Sequence, residues 1–198
     1  MVRCMTMTGT RLTTTAKPQA GATSWEIDPA HSLIEFSVKH MMFTTVRGRF
    51  KKLRGTILCP DESDPTKASV EAEIDAASID TGDESRDAHL RGADFLDVQN
   101  YPNITFKSTH IERAGAQDAF RMHGDLTVRG TMREVVLDTS YNGRGKNPFG
   151  KEVAGFTAET TLNRREFGMN WNAALESGGL LVGDNVNVLI EVQAVRKA

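Results

Sequence analysis

Residues 154–162, Ala154-Gly155-Phe156-Thr157-Ala158-Glu159-Thr160-Thr161-Leu162, decide the fold. Ala154, Phe156, Ala158, Thr160 and Leu162 share one face, and Gly155, Thr157, Glu159 and Thr161 share the other. A period of two marks a strand with one dry and one wet side, because successive side chains leave a sheet on opposite faces. The same beat recurs along the chain. Ile34, Phe36 and Val38 alternate with Glu35, Ser37 and Lys39, and Val70, Ala72 and Ile74 alternate with Glu71, Glu73 and Asp75. Ile104 and Phe106 alternate with Thr105 and Lys107. Phe120, Met122, Leu126 and Val128 share a face with Gly124, and Val135, Leu137, Thr139 and Tyr141 share one with Arg133. Val186, Val188, Ile190 and Val192 close the series.

Turn chemistry separates these runs. Pro60-Asp61-Glu62-Ser63-Asp64-Pro65, Arg129-Gly130-Thr131 and the stretch from Asn142 to Pro148 read as loops. Short connections between alternating runs imply antiparallel neighbours, because parallel strands need long crossovers. One helix is predicted from Asp83 to Arg91, followed by a short turn from Ala93 to Val98. About eight strands with polar outsides must hide their apolar faces in a sandwich or a barrel, and closure removes exposed edges. The dry faces mix Ala72, Gly124, Ala154 and Ala158 with Phe36, Phe106, Phe120 and Phe156. That mixture favours an interior with space in it over a solid one. The expected fold is all-β, an extended antiparallel barrel with a short helical insertion near residues 83–98. The expected boundaries are a disordered leader over residues 1–22 and one barrel domain over residues 23–198.

Composition narrows the function. The chain has 198 residues, 24 basic against 26 acidic, and a net charge of -2. A protein of nucleic acid usually carries a basic excess or stripe, so no nucleic-acid partner is expected. A mean hydropathy of -0.37 argues against an integral membrane protein. The first residues lack the apolar run of a signal peptide, so a cytoplasmic location is expected. Two separated thiols, Cys4 and Cys59, suit a reducing compartment and do not make a zinc site. No dinucleotide glycine motif, phosphate loop or nucleophile elbow is present.

Several separated motifs, in order, resemble the YceI-like family. They begin with Trp25-Glu26-Ile27-Asp28-Pro29-Ala30-His31-Ser32. Ser78-Ile79-Asp80-Thr81-Gly82, Arg86-Asp87-Ala88-His89-Leu90, Ala93-Asp94-Phe95-Leu96-Asp97 and Tyr101-Pro102-Asn103-Ile104-Thr105-Phe106 follow. Gly124-Asp125-Leu126-Thr127-Val128-Arg129-Gly130-Thr131 and Arg165-Glu166-Phe167-Gly168 complete the set. The likeness covers residues 24–195. It implies a lipocalin-like barrel that binds, and carries or stores, a long-chain amphiphile such as a polyisoprenoid, an isoprenoid quinone or a prenyl diphosphate. It also implies a homodimer. Many relatives are exported to the periplasm, and the leader here departs from that pattern.

Candidate pocket residues follow from alternation and the resemblance together. They are Phe36, Val38, Met42, Phe50 and Ile74 in the first half, then Leu90, Phe95, Phe106, Phe120, Met122 and Leu126, and last Phe156, Phe167 and Trp171. For each, ordinary core packing is the alternative. Arg86 and His89 have two readings: contact with a polar head group at an opening formed by residues 83–98 and 163–172, or, for Arg86 with Asp87, pinning of the insertion to the barrel rim. Arg164 and Arg165 could meet a phosphate or pair with carboxylates. Asp28, His31 and Ser32 lack the spacing of a nucleophile elbow and read as a turn. His31, His40, His89, His110 and His123 form no compact ligand set, so no metal and no resident cofactor are expected. An enzyme using His89 or Asp87 as a base, and an interaction module with a filled core, are the rivals to a non-catalytic carrier.

Overall fold

The computed structural model describes residues 22–115, 118–174 and 180–197. The expected leader, residue 22 apart, and Cys4 lie outside the described residues. Eleven strands and one α-helix follow in chain order. They are β1 (Thr23–Ile27), β2 (Leu33–His40), β3 (Thr44–Phe50), β4 (Leu53–Cys59), β5 (Ser69–Asp75) and β6 (Ile79–Asp80), then α1 (Glu84–Arg91). β7 (Asn103–Arg113), β8 (Ala119–Val128), β9 (Thr131–Lys146), β10 (Glu152–Asn163) and β11 (Val182–Arg196) complete the chain.

β1 and β2 run in the same direction and form one long kinked strand, because both pair with β11. The kink is the turn at Pro29–His31, where Asp28 accepts a hydrogen bond from Ala30 N at 3.0 Å. His31 Nδ1 lies 2.7 Å from Asp28 Oδ2, and this bond holds the carboxyl below its usual range. β3 and β4 form a second kinked strand, bent at Lys51 and Lys52. Counted this way, eight antiparallel strands close on themselves. The fold is the lipocalin-like barrel expected.

The insertion fills a gap that the barrel leaves. β5 pairs with β4, and its last residue, Asp75, lies opposite Asn103 of β7. The lower part of β3 therefore lacks a β5 neighbour, and β6 takes the place through Arg49↔Asp80 and Phe50↔Ile79. Asp83 caps α1 by accepting from Arg86 N at 3.0 Å. Arg91 then ties the helix back by donating to Ala77 O at 2.9 Å and Ile79 O at 2.7 Å.

Two glycines let aromatic rings lie against the wall. A Cβ on Gly48 would sit 2.4 Å from Phe36 Cζ and 2.7 Å from Thr81 Cγ2. One on Gly124 would sit 2.4 Å from Phe106 Cζ and 2.7 Å from Lys107 O. The ring covers the strand where it has no side chain, which is what makes room for large residues inside a narrow barrel. Gly48→Val is expected to cost about 1–3 kcal/mol by forcing Phe36 off its wall. Thermal unfolding reads this as a drop of several degrees, and an unchanged midpoint would mean that the wall yields freely.

Candidate functional site

The inward faces of the strands enclose a cavity of about 690 Å³. Its size is ordinary for a small-molecule site, and its walls are almost wholly aliphatic or aromatic. Phe36, Val38, Phe50 and Ile74 form part of one wall. Phe106, Phe120, Met122, Leu126 and Phe156 come from β7, β8 and β10. The small residues Ala72, Ala154 and Ala158 lie between them and keep the lumen open.

One end of the cavity is covered. Leu90, Phe95 and Leu96 from the insertion reach it, and Phe167 and Arg164 reach it from the loop after β10. Phe167 is 2% exposed and Arg164 3%. Arg164 has five N–H donors. It uses them on Gly183 O at 2.9 Å, Met169 O at 2.5 Å, Trp171 O at 2.9 Å, Val182 O at 3.3 Å and Asp184 Oδ1 at 3.1 Å. Burial pushes its pKa down, and Asp184 works against that. Arg165 also donates to Asp184, at 2.9 Å. Both arginines thus meet the Asp184 carboxylate, and Arg164 also meets the chain's own carbonyls.

The other end is polar and exposed. Glu62 and Ser63 from the β4–β5 loop, Arg113 at the end of β7, Asp118 from the β7–β8 turn, and Arg144 from β9 border the cavity there. Arg144 donates to Glu62 at 3.2 Å, and Arg196 lies 3.3 Å from the same carboxylate. The β4–β5 loop is locally braced. Ser63 and Lys67 hold the Asp61 carboxyl at about 2, with the Ser63 hydroxyl the larger cause. Cys59 also borders this end, and burial pushes its thiol up.

Four of the sequence candidates lie off the cavity lining. Met42 is at the β2–β3 hairpin tip, 69% exposed. Arg86 donates to Thr81 Oγ1 at 2.8 Å and Thr81 O at 3.1 Å, while Asp87 accepts from Thr81 N at 2.9 Å and Thr81 Oγ1 at 2.6 Å. Both side chains therefore close on Thr81 within the insertion, and none of these bonds reaches the barrel rim. His89 lies 3.1 Å from Asp94 and meets the Phe95 and Trp171 rings edge-on at 5.0 Å and 4.7 Å. His89 and Trp171 therefore buttress Phe95 from outside. The opening expected at residues 83–98 and 163–172 is instead the covered end, where Phe95, Leu96, Arg164 and Phe167 are buried. Among the described residues no cluster of three or more His, Cys, Asp or Glu forms a metal site, and no helix is long and apolar enough to cross a membrane.

The sequence reading missed the rim. Arg113 and Arg144 face inward only because β7 carries an extra residue, Thr109, between Ser108 and His110, and β9 carries one, Asn142, opposite the step from Gly155 to Phe156. Each bulge turns the following residues over. A Gly-rich stretch, Asn142-Gly143-Arg144-Gly145, was the available signal for the second.

Comparison with known proteins points one way. The family model described as YceI-like domain matches residues 25–194. A UPF0312 protein of Staphylococcus epidermidis is 39% identical over 165 residues, spanning 83% of this chain and 92% of the relative. The crystal structure of Burkholderia cenocepacia BcnA superposes with a TM-score of 0.73 at 24% identity, over 84% of this chain and 98% of that one. A polyisoprenoid binding domain from Saccharophagus degradans superposes with a TM-score of 0.63 at 14% identity, over 90% of this chain and 100% of that one.

Arg164→Met is expected to destabilise the protein by roughly 3–5 kcal/mol, since it strips partners from buried carbonyls and from Asp184. Arg164→Lys should recover little of this, because an ammonium cannot reproduce the fork. Urea unfolding measures both, and a near-native Met variant would remove Arg164 as the clamp of the covered end.

Proposed function

Because the chain belongs to the YceI-like domain family, we propose that it is a non-catalytic carrier or store for a long-chain, isoprenoid-type lipid. The tail lies along the barrel axis, and the polar head stays at the rim formed by Glu62, Ser63, Arg113, Asp118 and Arg144.

The observation that carries this reading is the size and lining of the cavity. The lumen opens to solvent at its polar rim and is lined over about 690 Å³ almost wholly by apolar side chains, so water is what a ligand would displace. Water is a poor filler, because each molecule needs two to four polar partners and the walls offer few. An apolar chain fits, at roughly 25 cal/mol for each Å² it buries. The three methionine and aromatic residues Phe120, Met122 and Phe156 add a soft wall for a bent or branched tail. The name of the Saccharophagus degradans domain agrees with this chemistry.

The rivals have less support. A filled interior is at odds with the cavity itself. A base at His89 or Asp87 would have to act from outside the lining. Homodimerisation and a cytoplasmic location belong to the same proposal, and analytical ultracentrifugation and cell fractionation check them.

Native mass spectrometry of freshly purified protein, followed by organic extraction, tests the carrier reading. The expected result is a co-purifying species with an isoprene or acyl ladder, or uptake of added ubiquinone or polyprenol. An apo mass with no uptake of either would overturn the reading. Two variants test the location. Phe106→Asp puts a charge into the lumen and should weaken ubiquinone uptake by at least tenfold. Ala158→Phe fills the lumen without a charge and should do the same while folding normally. Uptake equal to wild type in a folded Ala158→Phe protein would move the ligand out of the barrel.

A further inference from the structure

The β9–β10 turn joins strands at the polar end of the cavity, and it carries Lys146-Asn147-Pro148-Phe149-Gly150-Lys151. Phe149 is 87% exposed, the most exposed large apolar side chain among the described residues. The turn is rigid. Asn147 Oδ1 accepts from Phe149 N and Lys151 N, both at 3.0 Å. Gly150 N donates to Asn147 O at 2.9 Å, Asn147 N donates to Lys151 O at 2.9 Å, and Gly150 takes the left-handed φ of 77°. Asn, Pro and Gly occupy the positions that a type I turn with a following left-handed residue prefers.

The charges nearby are sorted. Arg144 pairs with Glu62, Arg196 with Glu62 and Glu152, Lys197 with Glu26, and Lys67 with Asp61 and Asp64. Lys146 and Lys151 are exposed and make no ion pair within 4.0 Å among the described residues. An aromatic ring between two exposed lysines, of which Lys146 stands opposite Glu152 and Lys151 forms no ion pair within 4.0 Å among the described residues, matches a bilayer interface: the ring enters the headgroup layer and the ammonium groups meet phosphates. Net charge of -2 does not oppose this, because the attraction acts within a Debye length of the surface.

We propose that this turn anchors the protein to an anionic lipid bilayer, with the open end of the cavity facing the membrane. The purpose of the contact, loading and unloading of a lipid, rests on the carrier reading; the contact itself does not. A second apolar tip, Met41-Met42-Phe43, projects from the other end, with Phe43 80% exposed. It would turn the opening away from a bilayer, and it serves as the comparator.

Co-sedimentation of the full chain with phosphatidylcholine vesicles, with and without phosphatidylglycerol, tests the anchor. Wild type is expected to bind the anionic vesicles and to release them as salt is raised. Phe149→Ser should lower binding by about tenfold or more, the factor that burial of one phenylalanine confers. Lys146→Gln and Lys151→Gln should each lower it by about fivefold. Phe43→Ser should leave it unchanged. No binding by wild type, unchanged binding by Phe149→Ser, or loss caused by Phe43→Ser would each overturn the proposal. So would Phe149-dependent capture of a protein partner without vesicle binding. A parallel arm delivers ubiquinone from cyclodextrin, with no bilayer present. Phe149→Ser should take it up like wild type. Failure of wild type in this arm overturns the carrier reading and leaves the anchor standing, and success there without vesicle binding overturns only the anchor.

Discussion

Ring closure is the constraint on which the structure depends. A strand with two hydrogen-bonded neighbours has no edge to protect, and closing the sheet gives every main strand two. The chain meets this by bending two long strands, at Pro29–His31 and at Lys51-Lys52, so that β1 and β2 both serve β11 and β3 and β4 both serve the strand before them. Once the ring is closed, every second side chain must point inward. Eight strands enclose more width than mixed small and large residues fill, and the cavity is the remainder.

Where the ladder stops, arginine takes over. Arg164, Arg129, Arg91 and Arg86 all aim guanidinium N–H groups at main-chain carbonyls around the covered end. Arg129 alone joins the β8–β9 turn to the late loop and the insertion, donating to Gly168 O at 2.6 Å and Ala93 O at 2.7 Å. The turn that carries it is tight, with Arg129 and Gly130 both at left-handed φ, 50° and 69°. Five planar donors on one side chain suit irregular backbone, where carbonyls point in several directions. Charged residues at this end therefore act as substitutes for strand pairing.

What could be read from the sequence follows from the range of each interaction. Alternation is local, so the straight parts of the strands and their inward residues, such as Phe36, Phe106 and Phe156, were legible. A bulge breaks the count by one, and Thr109 gives no sign of it while Asn142 has only the glycines after it, so Arg113 and Arg144 were assigned to no face. Arg86 and His89 have suggestive chemistry, yet their partners Thr81 and Asp94 sit five residues away on a loop whose path alternation does not report, and Trp171 meets His89 from a distant segment. Met42 has the composition of a wall residue and the position of a hairpin tip. Only a hairpin whose turn is located can tell the two apart.

A lumen covered at one end behaves as a queue with a single place. A bound chain must withdraw along the path by which it entered, and a competitor cannot push from behind. The rate of exchange would then be set by spontaneous withdrawal and be independent of competitor concentration. With about 0.8 kcal/mol for each methylene drawn back into water, residence would lengthen by about fourfold per carbon until the tail outgrows the barrel. Under the carrier proposal, the depth of the covered end, where Phe95, Leu96 and Phe167 stand, would act as a timer as well as a ruler.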